Sequence, residues 1–409
     1  MRRLFRHELL RRSALFSLSI VASTLVGVFS LPILITTVGA EQWGHLAVMQ
    51  AITQFASVIV AFGWGATGPS MVSAIAPEER KAVFMQSFSV RGTLFAVVLV
   101  PTVILCAQLT GQSWINAVLA AGTYTFAGLS AAWYFVGTNR PIPLFLLDAT
   151  PSIVGQVLGL VAVLITGDLT AYLACTAALT VVGVAASMVY VVTRPQDGPR
   201  RAAHPTPWRE ILRSQSAGVS STISASMWTA APTVLVQAFA PAAVPVFAMI
   251  DRLMKYGVLA LAPILQAIQG WVPESGRATV GARAVTGVKV ATGVGLLGGV
   301  ALAALSTPVS SLLSLGEAVV PWTVAVIAGA AFCFECVAQI AGLSGLVALG
   351  GSRQLALSSI ASAAVGIPVI AALVIWLGLY GAILGILVVA AALAVYRAVH
   401  VRRYARRYL

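Results

Sequence analysis

Three charged residues interrupt an otherwise apolar run, VPVFAMIDRLMKYGVLALAP: Asp251, Arg252 and Lys255. If the run crosses a bilayer, each such charge costs at least about 2.5–3.5 kcal/mol, so the group must face a cavity or a partner. Asp251 and Lys255 are spaced i,i+4, and Arg252 and Lys255 i,i+3, which puts all three on adjoining faces of one helix. Arginine suits bidentate contact with phosphate and lysine supplies a point charge, while Asp251 can hold the cluster when no anion is bound. The trio therefore fits a phosphate-bearing ligand. The same residues would also serve as a structural ion pair, or would snorkel to the interface from a helix that begins later.

Other polar residues also fall in apolar surroundings. Glu335, with Gln339 one turn on, can balance Arg252 or Lys255 or take up a proton. Asp148 suits an ion pair with Arg140 or a transport role, and Arg91 either catches an incoming phosphate or anchors a helix at the interface. Ser216, Ser220 and Ser224, like Gln50 and Gln54, recur at helical spacing, a pattern of close helix packing or of sugar contact. Trp133 and Tyr134 can stack on a sugar or join an aromatic belt. Cys333 and Cys336 form a lone CxxC that points to neither metal nor redox chemistry; no disulfide, cofactor or metal is expected.

The elements that position these residues follow from composition. The chain has 409 residues, 59% hydrophobic and 9% charged, with a net charge of +13. A soluble domain carries about 25% charged residues, so a large water-exposed surface is excluded. Apolar runs exceeding the roughly 20 residues needed to span a bilayer recur along the chain. They predict an all-α polytopic membrane protein with twelve transmembrane helices, near 13–37, 45–68, 88–109, 114–136, 142–166 and 169–192, then 214–238, 243–268, 286–306, 319–348, 354–377 and 380–398. The organisation expected is an N-terminal six-helix lobe (1–192), a cytoplasmic linker (193–213), a C-terminal six-helix lobe (214–398) and a basic cytoplasmic tail (399–409). The first helix is too long for a signal-peptide core and is read as retained.

Basic residues then test the topology. With the amino terminus inside, all but Arg252 and Lys255 of the 25 Lys and Arg fall on the predicted cytoplasmic side, whereas the outer loops hold only Glu41, Asp168 and Glu317. This is the positive-inside pattern, with both termini cytoplasmic. Basic charge scattered over short loops on one face suits anionic lipid and not nucleic acid.

The halves also resemble each other. Ala127-Gly128-Leu129-Ser130, with Gly137 and Arg140 beyond it, matches Ala341-Gly342-Leu343-Ser344, with Gly351 and Arg353. Pro32 pairs with Pro232, Met49 with Met249, and Ala76-Pro77-Glu78 with Val272-Pro273-Glu274. Six helices per half is an even number, so the repeats are parallel and pseudo-symmetric about the membrane normal, a geometry suited to alternating access.

Leu31-Pro32 through Val38-Gly39 and Trp43-Gly44, then Phe62-Gly63-Trp64-Gly65, Trp133-Tyr134-Phe135, Val246-Phe247-Ala248 with Asp251-Arg252, Leu349-Gly350-Gly351-Ser352-Arg353 and Leu379-Tyr380-Gly381-Ala382 carry a family resemblance. Over nearly its full length the chain resembles the polysaccharide-transporter (Wzx-type) branch of the multidrug/oligosaccharidyl-lipid/polysaccharide (MOP) flippase superfamily. The resemblance implies two six-helix lobes in a MATE-like V and movement of a lipid-linked oligosaccharide across the cytoplasmic (inner) membrane, alongside polysaccharide assembly enzymes. It also implies that basic residues lining a cavity meet the pyrophosphate.

A proton- or sodium-coupled drug or cation antiporter of the same superfamily is the alternative, and should present buried carboxylates without matching basic residues. A membrane-embedded polysaccharide-processing enzyme fits less well, because the outer connections are short and carry no nucleophile–base set. The major facilitator class is disfavoured by Pro77-Glu78-Glu79-Arg80-Lys81, which replaces that class's signature loop.

Overall fold

The structure is a computed structural model and describes residues 22–194, 208–273 and 279–406, with the side chains of 208–218, 220 and 221 outside that description. The expected start of the first helix, residues 195–207 of the expected linker, and the Ser216 and Ser220 side chains therefore lie outside the described residues.

Every regular element among the described residues is helical. In chain order they are α1 (Ala22–Val38), α2 (Ala40–Ala74), α3 (Pro77–Thr110), α4 (Trp114–Gly137), α5 (Pro141–Thr166) and α6 (Leu169–Thr193). Then follow α7 (Trp208–Phe239), α8 (Val244–Trp271), α9 (Val280–Ser314), α10 (Trp322–Leu346), α11 (Ser352–Leu377) and α12 (Leu379–Ala405). Nine of these, α2–α6 and α9–α12, are long and apolar enough to cross a membrane. The other three expected positions hold α1, shorter among the described residues, and α7 and α8. In α8 the Asp251–Lys255 cluster and two glutamines lower the hydropathy.

Several helices outrun their expected bounds. α3 begins at Pro77, whose missing N–H suits a first helical position, and carries Glu78 and Glu79 in its first turn, where the helix dipole favours acid. α12 continues to Ala405, so Arg402 and Arg403 of the expected tail ride on its last turn. Large apolar side chains such as Ile165, Leu297 and Trp376 point outward, as a lipid-facing surface requires.

The chain divides into two compact units, Met1–Ser226 and Met227–Leu409. In the first, α2 breaks at Phe62 and Gly63, both with positive φ, and the following Trp64 packs against Trp133 with tilted rings, centroids 4.9 Å apart. Phe84, Tyr134 and Phe135 complete this aromatic core. Trp133 and Tyr134 are thus interior residues; the aromatic-belt expectation failed because an indole beside a helix end looks the same in sequence whether it faces lipid or core. In the second unit, α9 packs along α10, and α12 against α10 and α11.

Helices are irregular at the repeated Ala-Gly-Leu-Ser. In α4 a π turn (Ala121–Thr125) and a 3-10 turn (Phe126–Leu129) lead into an extended Ser130; in α10 a π segment covers Ala341–Leu346. Carbonyls at such irregular turns inside a membrane attract further donors, and in each unit a buried arginine donates beside the turn. Arg91 of α3, 1% exposed, donates from Nη1 to the Gly128 and Ser130 carbonyls at 3.1 and 2.8 Å. Arg397 of α12, 7% exposed, donates from Nη1 to the Ala338 carbonyl at 3.0 Å, one turn before the π segment.

Candidate functional site

α8 is an uninterrupted helix of 28 residues that carries the charged trio on its third and fourth turns. Along it, Lys255 Nζ donates to Asp251 Oδ2 at 2.6 Å. Lys255 keeps 45% of its side-chain exposure and Asp251 22%, so the pair is bonded yet open on one side. An exposed pair of this kind contributes only about 0–1 kcal/mol, and a competing anion can displace it.

The open side faces a cavity of about 240 Å³ within the C-terminal unit. α10 contributes Glu335 and Gln339 to its lining, joined by a hydrogen bond from Gln339 Nε2 to Glu335 Oε1 at 3.2 Å. Trp228 and Pro232 of α7, Phe247 and Met254 of α8, and Ile383 of α12 form apolar walls. Drug-sized sites run to about 300–1,000 Å³, so this one has room for a charged fragment of a ligand and not for a whole oligosaccharide. Its chemistry is one ammonium and two carboxylates in an apolar frame.

The structure thus joins three of the six sequence-selected residues, Asp251, Lys255 and Glu335. Arg252 does not line the cavity: one residue on from Asp251, it is turned about 100° around the helix and is half-buried elsewhere on α8. Arg91 and Asp148 belong to the N-terminal unit. Asp148 accepts a hydrogen bond from Ser130 Oγ, the same residue whose carbonyl accepts from Arg91, so the pair shares one network. Of the polar stripes, Gln50 donates to the Tyr124 hydroxyl at 2.8 Å and bridges α2 to α4.

Arg397 was missed. Its position near the end of the last apolar run reads as an interface anchor, but the side chain turns inward. Nε donates to Ser358 Oγ at 3.0 Å and Nη2 to Ser359 Oγ at 2.8 Å, besides the Ala338 carbonyl. One signal was available. Arg397 stands a full turn ahead of Arg402 and Arg403, flanked by Val395 and Val399.

Fold and cavity together define a multi-pass helical membrane protein with a charged cavity inside one unit. The chain belongs to the family described as polysaccharide biosynthesis protein, whose model matches residues 9–275, in agreement with the resemblance seen in sequence. No curated protein matches. Among solved structures, the lipid II flippase MurJ in an inward closed conformation superposes with a TM-score of 0.71 at 10% identity, covering 97% of this chain and 90% of that one. An inward-facing multidrug resistance MATE family transporter of the MOP superfamily gives 0.64 at 15% identity, covering 95% and 98%. A MATE in the bent conformation gives 0.60 at 15% identity, covering 98% and 95%. At these identities the likeness shows a shared fold.

Proposed function

We propose that the protein is a flippase that moves a polyprenyl-pyrophosphate-linked oligosaccharide, a polysaccharide repeat unit, across the cytoplasmic membrane by alternating access. It works without a catalytic step, through twelve membrane crossings with both termini cytoplasmic, and receives its cargo from polysaccharide assembly enzymes. The family and the MurJ-like fold support this reading. The observation that carries it is the cavity in which Lys255, held by Asp251, meets Glu335 and Gln339.

In this mechanism a phosphate of the cargo replaces the Asp251 carboxylate on Lys255, a charge-assisted contact in an apolar frame. Gln339 offers an amide donor to the same group. The polyprenyl tail stays in lipid, and reversal of the exchange, with Asp251 recapturing Lys255, releases the headgroup. Arg252, next to the cavity on the same helix, raises the local positive potential.

The test is complementation of a flippase-deficient strain at matched protein levels. Lys255→Ala should abolish it and Lys255→Arg retain part. Full activity of Lys255→Ala would sink the assignment. The two carboxylates in the same cavity favour a second reading, cation antiport. Under that reading Lys255→Ala would leave transport of an organic cation intact and Glu335→Gln would remove it.

A further inference from the structure

Glu335 lines the cavity with one hydrogen-bond partner, Gln339, on its own helix. A carboxylate in an apolar frame stays ionised only with a positive charge nearby, and Lys255 is taken by Asp251. Arg397 reaches the same stretch of α10: its Nη1 donates to the Ala338 carbonyl at 3.0 Å, three residues on from Glu335. Its other guanidinium hydrogen bonds go to Ser358 and Ser359 of α11, so any pairing with Glu335 is one of charge and not of a direct hydrogen bond.

Arg397 packs against Gly342, where a Cβ would lie 2.9 Å from Arg397 Nη1. The repeated Ala-Gly-Leu-Ser of α10 is thus a docking place for this guanidinium. Ala338 and Gln339 are successive residues, so a guanidinium fixed on the Ala338 carbonyl also fixes the turn of α10 that presents Glu335 and Gln339 to the cavity.

We infer that Arg397 is a positioning residue of the cargo cavity: from α12 it clamps α11 to the Glu335–Gln339 turn of α10 and serves as the buried counter-charge to Glu335. Arg397 then stands to Glu335 as Lys255 stands to Asp251, and Arg252 adds further positive charge beside the cavity. Glu335 is neutralised in place, and Lys255 is left as the one cavity cation that a phosphate can claim. The inference rests on the cargo reading above for its role in transport, but not for the pairing itself.

The test uses the full-length protein in lipid nanodiscs, with a short-chain polyprenyl pyrophosphate as probe. Arg397→Met, Glu335→Gln and the double variant form a thermodynamic cycle. Each single change should lower the melting temperature, and Glu335→Gln added to Arg397→Met should recover at least about 3 °C. Strictly additive losses would overturn the counter-charge role.

Arg397→Lys keeps the charge, loses the fork, and covers the case in which Arg397→Met does not fold. Glu335→Gln should cost as much in that background as in the native one. Half-saturation by the probe should rise about fivefold at unchanged maximal binding. A half-saturation equal to that of the native protein would overturn the positioning role. A native protein that binds no probe would remove the cargo reading, while the thermal cycle would still decide the pairing.

Discussion

Gly299 of α9 and Gly329 of α10 meet backbone to backbone: a Cβ on Gly299 would lie 2.4 Å from the Gly329 carbonyl oxygen, and one on Gly329 2.3 Å from that of Gly299. Gly295 approaches the Cys333 carbonyl one turn away in the same way, at 3.0 Å. Helices in lipid associate through close packing of small residues, not through a hydrophobic drive. Gly299→Ala and Gly329→Ala should each cost about 1–3 kcal/mol as overpacking. Thermal unfolding in detergent reads this as a fall in melting temperature; unchanged values would mean the two helices can separate freely.

Arg91 offers a second stability test with a functional edge. Arg91→Met leaves the Gly128 and Ser130 carbonyls without their donor, and each unpaired buried group costs about 1–3 kcal/mol. The expected outcome is a lower melting temperature with transport per folded molecule preserved. A selective loss of transport at native stability would return Arg91 to the list of cargo contacts.

Leu315, at the end of α9, has φ 47° and is 68% exposed. A branched side chain in the left-handed region is strained, and glycine is the usual residue there. Leu315→Gly should stabilise by about 1 kcal/mol because little packing is lost. The melting temperature of the single variant decides it.

Asp251 competes with cargo for Lys255 in the proposed mechanism. Asp251→Asn should tighten equilibrium binding of inorganic pyrophosphate roughly twofold to fivefold, the range set by an exposed ion pair. Titration at low ionic strength measures this, and added salt should erase most of the gain. Weaker binding would show that Asp251 orients Lys255 instead of occupying it.

Hydropathy and the distribution of Lys and Arg made the helices legible, because the cost of charge in hydrocarbon is large and recorded along the chain. The Asp251–Lys255 pair was legible too, since both residues lie on one helix at i,i+4. Arg397 was not: its partners, Ala338, Ser358 and Ser359, lie 59, 39 and 38 residues away, on other helices. Hydropathy gives depth along the axis but not the direction in which a side chain points around it. The repeated Ala-Gly-Leu-Ser was visible as a motif, yet the guanidinium beside Gly342 appears only when α12 is packed against α10.

At about 240 Å³, the cavity has room for the linkage of a glycolipid and little beyond it. A recognition element of that size reads a feature common to many such lipids. On the proposed reading the glycan is carried as a passenger, so chains of different sugar composition should exchange for one another in the same transporter. Fidelity in the finished polymer would then be set by the enzymes that build and join the repeat units.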